Sequence, residues 1–585
     1  MKDTWNLKLL YKSDTDPQIE ADIKALEKAA AAFEKKYKGK DFTSTPEKLK
    51  RALDAYEALL RTGQDNKPWI YFNYKNHLNS ADEKIQARLT QVRERIVTAG
   101  NKNKFFKLGI GQVPGAKQKA YLVDPLLKDY AYMLKVLFQG AKHHLPEGEE
   151  QLASLLSQPA MTSWTNGQSK LLNSQVVHYK GEDMPVSKAT AILSDLPKAE
   201  RKILNDLVNE KVKSVAHFAE AEINAIVTYK KVMDERRGYK KPYSATVESY
   251  ENDEKTVENL MALVSKNFSI SHRFFKLQAK LQKEKKISFQ DRNVKMGDVK
   301  QKFPFDRSCE LVLQSFAEVD PKYPAILQSY LEKGQIDVYP RKGKRSGGYC
   351  SGGGDMPTYI LLNHTDDARS FETLAHEMGH AFHTELSRSQ PFHYRDYTMS
   401  VAEVASTFFE QVALENLEKT LDEKDQVALL HNRVSGDLAT VFLQTALFNF
   451  ETELHTRIRA EGALSGLEMA KLMKKHFKTF LGDAVEMSDD DGYFFVRLPH
   501  IRYFFYVYSY AYGQLVSRAL FEKWRADPSY IKKIEQFLSA GSSMSPKDIF
   551  KKIGIDTSDP SFFATGLKAI EKDIAKLEKL VSKSK

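Results

Sequence analysis

The sequence predicts a mainly α-helical protein of two lobes with one small β-sheet, and three observations point there. Apolar residues recur at three- and four-residue spacing through 17–38, 46–62, 81–98, 146–157, 197–236, 250–280, 402–433 and 562–583, with few internal glycines or prolines. One region of different character, 338–363, places six glycines within 343–354 and ends in TYILLN, a pattern for a short buried strand. At 585 residues the chain exceeds what one hydrophobic core organises. Residues 1–195 are therefore expected to form an N-terminal helical lobe, and 196–585 a larger helical lobe carrying the sheet.

Taken in order, the opening MKDTWNLKLLYKSDTDP is charged and lacks the apolar core of a secretory signal. Helices follow, separated by glycine- and proline-bearing breaks at 59–69, 107–115, 143–150 and 178–185. Long helices resume after about residue 195 and run to the glycine-rich region. Beyond it come a helix containing FETLAHEMGHAFHTELS (371–387), a break at SRSQPFHYRDYT, and a new helix near MSVAEVASTFFEQVALENL. The aromatic segment LPHIRYFFYVYSYAYGQLV (498–516) precedes the last helix.

Hydrophobic content of 42% with 28% charged residues is that of an ordinary globular chain. Two cysteines, Cys309 and Cys350, cannot make a disulfide framework. No run reaches the roughly 20 apolar residues that a membrane span needs. The net charge of +11 raises the question of nucleic acid, but the lysines are interleaved with acids, as in KALEKAAAAFEKKYKGKDF. Solvated helix faces are expected, with no nucleic-acid or membrane partner and a cytoplasmic location. The glycines match neither GxxxxGK[ST] nor GxGxxG, so nucleotide binding has little support.

HEMGH is the chemistry-bearing motif. On a helix, positions i and i+4 share a face one turn apart, so His376 and His380 can reach one metal ion, with nitrogens about 2.0–2.1 Å from it. Glu377 stands beside them, able to reach a metal-bound water without ligating. Gly379 leaves room next to His380 for another backbone or a ligand. Two histidines on an amphipathic helix are also unremarkable in a chain with 15 of them, so a third ligand decides the matter. His383 lies about 10.5 Å along the axis from His376, too far to share a small ion. Glu403, 23 residues beyond His380 and set among small apolar residues, is the better candidate. Its competing role is the Ser400-x-x-Glu403 capping box. Two His and one Glu favour a single zinc ion.

Together HEMGHAFH, YTMSVAEVASTFFE, KRSGGYCSGGGDMPTYILLN and LPHIRYFFYVYSYAYG resemble the thimet-oligopeptidase and oligoendopeptidase F family of zinc peptidases. TWNLKLLYKSDTDP and HRFFKLQAKL (272–281) resemble its oligoendopeptidase F branch, so the likeness spans nearly the whole chain. It implies a mainly helical, two-lobed fold with a deep substrate channel and a small sheet beside the HExxH helix. It implies zinc on His376, His380 and Glu403, Glu377 as base, and Glu410 either as a group behind the ligands or as an ordinary exposed acid. It further implies that His500 and one or more nearby tyrosines donate to the oxyanion. If that segment is helical, Tyr503, Tyr506 and Tyr510 share a face; if extended, Tyr506, Tyr508, Tyr510 and Tyr512 do.

The expected activity is cleavage of internal bonds in short unstructured peptides. The TYILLN strand, with Tyr359, would offer an edge for an extended peptide. Gly347, Gly348, Tyr349 and the glycines at 352–354 would line that peptide or form a hinged flap. A zinc carboxypeptidase or dipeptidyl carboxypeptidase is the runner-up, and a non-catalytic peptide- or nucleic-acid-binding scaffold the third reading. Cys350 sits in the glycine region but has no assigned general base, which disfavours a thiol nucleophile.

Overall fold

The computed structural model describes residues 2–63 and 66–583. The expected helical class is what it shows, with three small sheets. Residues 64 and 65 of the break expected at 59–69 lie outside the described residues. The chain forms two compact units, each discontinuous in sequence. The first comprises Met1–Lys142, Gln301–Thr420 and Lys523–Ile555; the second comprises His143–Lys300, Leu421–Glu522 and Asp556–Lys585. The boundary expected at residue 195 falls inside the second unit, where Trp164 packs on Phe218 with ring centroids 5.7 Å apart. No helix among the described residues is long and apolar enough to cross a membrane.

In the first unit the helix Pro17–Tyr37 starts where Asp16 caps it, its carboxylate accepting the Gln18 N–H. Its buried stripe, Ile19, Ile23, Ala30, Phe33 and Tyr37, follows helical spacing. The break expected at 107–115 is partly a helix, Lys104–Gly111. Phe106 and Ile110 are fully buried on it, and a Cβ on Gly109 would lie 2.8 Å from Phe42 Cζ. That glycine serves a close contact, and packing overrides its weak helix propensity.

The glycine-rich region is part loop and part sheet, with 341–348 in turn and coil and a strand beginning at Tyr349. Three strands lie in the order Ile336–Asp337, Met356–Leu361, Tyr349–Gly353; the middle strand is parallel to the first and antiparallel to the last. TYILLN therefore supplies the central strand, and the expectation that it offers an open edge is corrected. The first residues cover one edge, with the Val338 N–H donating to the Asp3 carbonyl (2.9 Å) and the Trp5 indole to that of Ile360 (2.7 Å). Tyr349–Gly353 forms the other edge. Tyr359, expected to touch substrate, is fully buried against Trp5 and Tyr74, its hydroxyl donating to the Asn6 carbonyl. Strand alternation turns its ring into the core.

Two helices, Ala368–Ser387 and Met399–Glu418, carry the HEMGH motif and Glu403. Asp367 caps the first, accepting the Ser370 N–H at 2.8 Å. Phe316, Tyr323, Phe382 and Phe409 interlock beneath them, with centroids 4.6–5.4 Å apart. The helices touch backbone to backbone at Gly379: a Cβ there would fall 2.5 Å from Ser406 Cα and 2.7 Å from the Ala405 carbonyl oxygen. Gly379→Ala must push them apart, and is expected to destabilise the protein by about 1–3 kcal/mol, the usual range for overpacking. Denaturant unfolding with parallel metal analysis checks this; unchanged stability and metal content would contradict it.

Several helical boundaries differ from expectation. The stretch 402–433 is two helices, because Asp422 caps a new one, Glu423–Asp437, by accepting the Asp425 N–H. The stretch 250–280 divides into Glu254–Lys266 and Ser269–Leu281, and 197–236 breaks at Val215. In the second unit the break at 178–185 is a hairpin, Val176–Tyr179 with Glu182–Pro185, turning on Lys180 and Gly181 at φ of 53° and 83°. Both turn residues are left-handed, as a tight two-residue hairpin requires.

Candidate metal centre

His376 and His380 project from one face of the Ala368–Ser387 helix, ring centroids 5.0 Å apart. Glu403, on the following helix, meets both: its Oε2 is 3.3 Å from His376 Nε2 and 3.5 Å from His380 Nε2. One donor atom from each residue lies within 4.8 Å of the others. The capping role for Glu403 is excluded, since the helix begins at Met399 with Thr398 as its cap. The Glu403 carboxylate instead accepts from the Ser406 hydroxyl at 2.8 Å.

Behind the three converging donors, Glu410 bonds His376 Nδ1 at 2.7 Å, leaving Nε2 facing Glu403. An outer carboxylate of this kind fixes the ring and raises its basicity. The ordinary-surface reading of Glu410 is thereby set aside. Glu372, which sequence reasoning missed, lies one turn before His376 and hydrogen-bonds Glu410. Burial first, then Glu410, pushes its carboxyl up to about 8. Its only sequence signal is an acid four residues before the first ligand histidine.

The electrostatics ask for a cation. Burial alone would raise Glu403, yet the His376 hydrogen bond, both imidazoles and Ser406 bring it down to about 2. Burial likewise opposes charge on His376, but Glu403 and Glu410 overcome it and raise that imidazole well above its ordinary value. Burial takes His380 down to about 4, leaving it neutral with a lone pair to give. The donor set of two imidazoles and one carboxylate, converging within 4.8 Å, fits zinc.

Glu377 is 6% exposed and points to the glycine-rich strand, where the Cys350 N–H donates to it. Burial, with Glu403 adding to it, pushes its carboxyl up to about 7. A Cβ on Gly348 would stand 3.2 Å from Glu377 Oε1 and 2.7 Å from Thr373 Cγ2, so this glycine permits the close approach of strand and helix. Gly347, at φ +80°, has open space around it. Tyr349 is held by His77, whose Nδ1 lies 2.7 Å from its hydroxyl. Burial and nearby Glu377 and Glu385 raise the Cys350 thiol well above its ordinary value, the reverse of what a thiolate nucleophile needs. His383 stacks on Tyr397 at 3.7 Å and is no ligand; burial takes it down to about 3.

The remaining predicted residues lie in the second unit and form their own cluster. The segment is neither continuous helix nor strand: a turn at His500–Arg502 leads through Phe504 and Phe505, both left-handed (φ 49° and 61°), into the helix Tyr508–Ala526. Glu451 accepts the Phe505 N–H at 2.8 Å, Thr246 donates to the Phe504 carbonyl, and Arg502, paired with buried Glu222, donates to the carbonyls of Phe495 and Leu498. These buried bonds hold a backbone that non-glycine residues adopt only at a cost. The turn gathers His500, Tyr506 and Tyr510, with Tyr506 hydrogen-bonding His500 Nδ1 and its hydroxyl 3.4 Å from that of Tyr510. Tyr503 packs on Tyr506 but is 68% exposed, whereas Tyr508 and Tyr512 are fully buried and outside the cluster.

A paired-histidine helix joined to a glutamate helix, with a buried acid beside them, is the donor arrangement of a metal-dependent hydrolase. Residues 199–569 match Peptidase family M3, and the chain belongs to that family. Residues 110–173 match Oligopeptidase F. The chain is 26% identical to Oligopeptidase PepF of Bacillus subtilis, over 100% of its own length and 88% of the relative's. A solved structure from Chlamydophila abortus shares its fold at TM-score 0.88 with 22% identity, covering 99% of this chain and 98% of that one. Oligoendopeptidase-F from Enterococcus faecium aligns at TM-score 0.69 and 18% identity, covering 96% and 99%. The protein is an M3 peptidase.

Proposed function

We propose that the chain is a zinc-dependent endopeptidase that cleaves internal bonds of short, unstructured peptides, with Glu377 as general base. The observation that carries this reading is the convergence of His376, His380 and Glu403 donor atoms within 4.8 Å, beside the buried Glu377 carboxyl. When held by those three residues, zinc supplies Lewis acidity toward a carbonyl oxygen and toward water.

The chain's own residues do the rest. A carboxyl near neutrality is poised to take a proton from the attacking water and return it to the leaving amine nitrogen. Glu410 and Glu372 hold His376 in the tautomer that presents Nε2. An extended peptide adds along the edge strand Tyr349–Gly353, next to Gly347, which has open space around it.

The family resemblance gives oxyanion donation to His500 and a tyrosine, and Tyr506 and Tyr510 are the two that cluster with it. Burial keeps His500 neutral and raises the Tyr506 hydroxyl, so both retain their donor protons at neutral pH. His500→Ala is expected to lower kcat by about 10²–10³ with little change in KM, as loss of one oxyanion donor does. Steady-state kinetics on one peptide checks it, and an unchanged kcat would remove His500 from the reaction.

An internally quenched peptide blocked at both ends tests the function. Cleavage that is lost with chelator and regained with zinc supports the endopeptidase. Failure to cut it, with release from a free C-terminus, would replace the endopeptidase with a carboxypeptidase.

A further inference from the structure

Phe504 and Phe505, in the turn that carries His500, Tyr506 and Tyr510, have φ of 49° and 61°. Among the described residues no other two adjacent non-glycine residues have positive φ. Large side chains rarely adopt this backbone, which persists only where the surroundings over-determine it. Here they do. His455 packs against both rings, with centroids 5.5 and 4.8 Å away, and Lys230 Nζ lies 5.6 Å from the Phe504 ring centroid. Thr246 donates to the Phe504 carbonyl at 2.9 Å, and Glu451 accepts the Phe505 N–H at 2.8 Å.

Glu451 is the member of that set with the least reason to be there for stability. It is fully buried, and its Oε2 has no hydrogen-bond partner. Neither ring nitrogen of the neighbouring, fully buried His455 has one either, and Lys230 bonds both oxygens of Asp234 instead (2.9 and 3.0 Å). A buried carboxyl oxygen left unpaired lowers stability, so an apolar side chain would serve the core better. An acid that lowers stability and fixes a strained turn points to a demand of the site.

The turn reverses the chain so that Tyr506 returns to His500, six residues earlier, and hydrogen-bonds its Nδ1. A hydroxyl donating to Nδ1 leaves the ring proton on Nε2. We propose that Glu451 is the positioning residue of this pair: by holding the Phe505 N–H it keeps Tyr506 on His500 Nδ1, and so keeps His500 presenting an Nε2–H donor. This rests on the reading that His500 donates to the oxyanion. Ionised or protonated, the carboxyl offers that N–H an acceptor oxygen, so the role does not turn on its charge. Fully buried, Glu451 acts only through the turn, and its loss lowers kcat while leaving KM and zinc content unchanged.

Three replacements test it. Glu451→Leu removes the acceptor at similar size, Glu451→Gln keeps an acceptor oxygen, and Glu451→Asp keeps the acid but draws it back by one methylene. Kinetics on the doubly blocked quenched peptide are read beside the ring N–H correlations of isotope-labelled histidine in zinc-loaded protein. The His500 signals are identified by their loss in His500→Ala. Glu451→Leu is expected to lower kcat by about 10–100-fold with KM near the parent's, the scale of a misplaced catalytic group. Its His500 signals move from a single Nε2–H form to a mixture of tautomers, and Glu451→Gln restores most of both. In His500→Ala, Glu451→Leu costs much less than in the parent, because the two act through one donor.

Equal losses in both backgrounds, or parent kcat with unmoved His500 signals in Glu451→Leu, would overturn the proposal. Glu451→Asp gives the same readings if the leucine variant does not fold, and unmoved kcat and signals there overturn it equally. Displaced His500 signals with parent kcat in both Glu451→Leu and His500→Ala would keep Glu451 as the positioning residue and remove His500 from the reaction.

Discussion

Replacing Glu377 by glutamine is expected to lower kcat by about 10²–10⁴, the span general-base catalysis supplies, while metal content and KM stay near those of the parent protein. Glutamine keeps the shape of the side chain and an acceptor for the Cys350 N–H, but it cannot take a proton. The carboxyl is 6% exposed and is not one of the three converging donors, so its amide leaves the ligand set intact. Kinetics and metal analysis on the same preparation distinguish the roles. Loss of metal in parallel with activity would make Glu377 a ligand, and retention of kcat would remove it from the chemistry.

Removing Glu403 is expected to act differently, by emptying the centre. Glu403→Ala takes away the one carboxylate that meets both imidazoles, at 3.3 and 3.5 Å. Zinc affinity should fall by more than the ~10–100-fold typical of losing an outer-shell partner, and cleavage should fall with occupancy. Glu410→Ala provides the comparison within the outer-shell range, because Glu410 holds His376 Nδ1 from behind. Competition against a chromophoric chelator measures both. Equal losses in the two variants would contradict the assignment of Glu403 as ligand and Glu410 as its support.

The parts of the site legible in the sequence were those fixed by local geometry. Helical spacing placed His376, Glu377 and His380 together, and the small apolar residues around Glu403 singled it out; the backbone contact of the two helices at Gly379 is seen only in the structure. Glu410 was half-legible and Glu372 was not, because an acid on an amphipathic helix reads the same whether it faces water or a ligand. Strand pairing is non-local, so the glycine-rich stretch concealed that it is the edge and TYILLN the centre. The aromatic segment fitted neither a pure helical nor a pure extended pattern. Its two left-handed phenylalanines are held by Glu451 and Thr246, residues remote in sequence. Each compact unit is built from three separated stretches, an arrangement that a reading along the chain does not see.

The most direct test of the central claim is a zinc titration of the metal-free protein, followed by cleavage of the doubly blocked peptide. The account predicts that activity rises with added zinc and breaks sharply at one equivalent per chain, with no rise in Glu403→Ala over the same range. Full cleavage by protein shown to be free of metal, or a break at two equivalents, would contradict a single centre built from His376, His380 and Glu403.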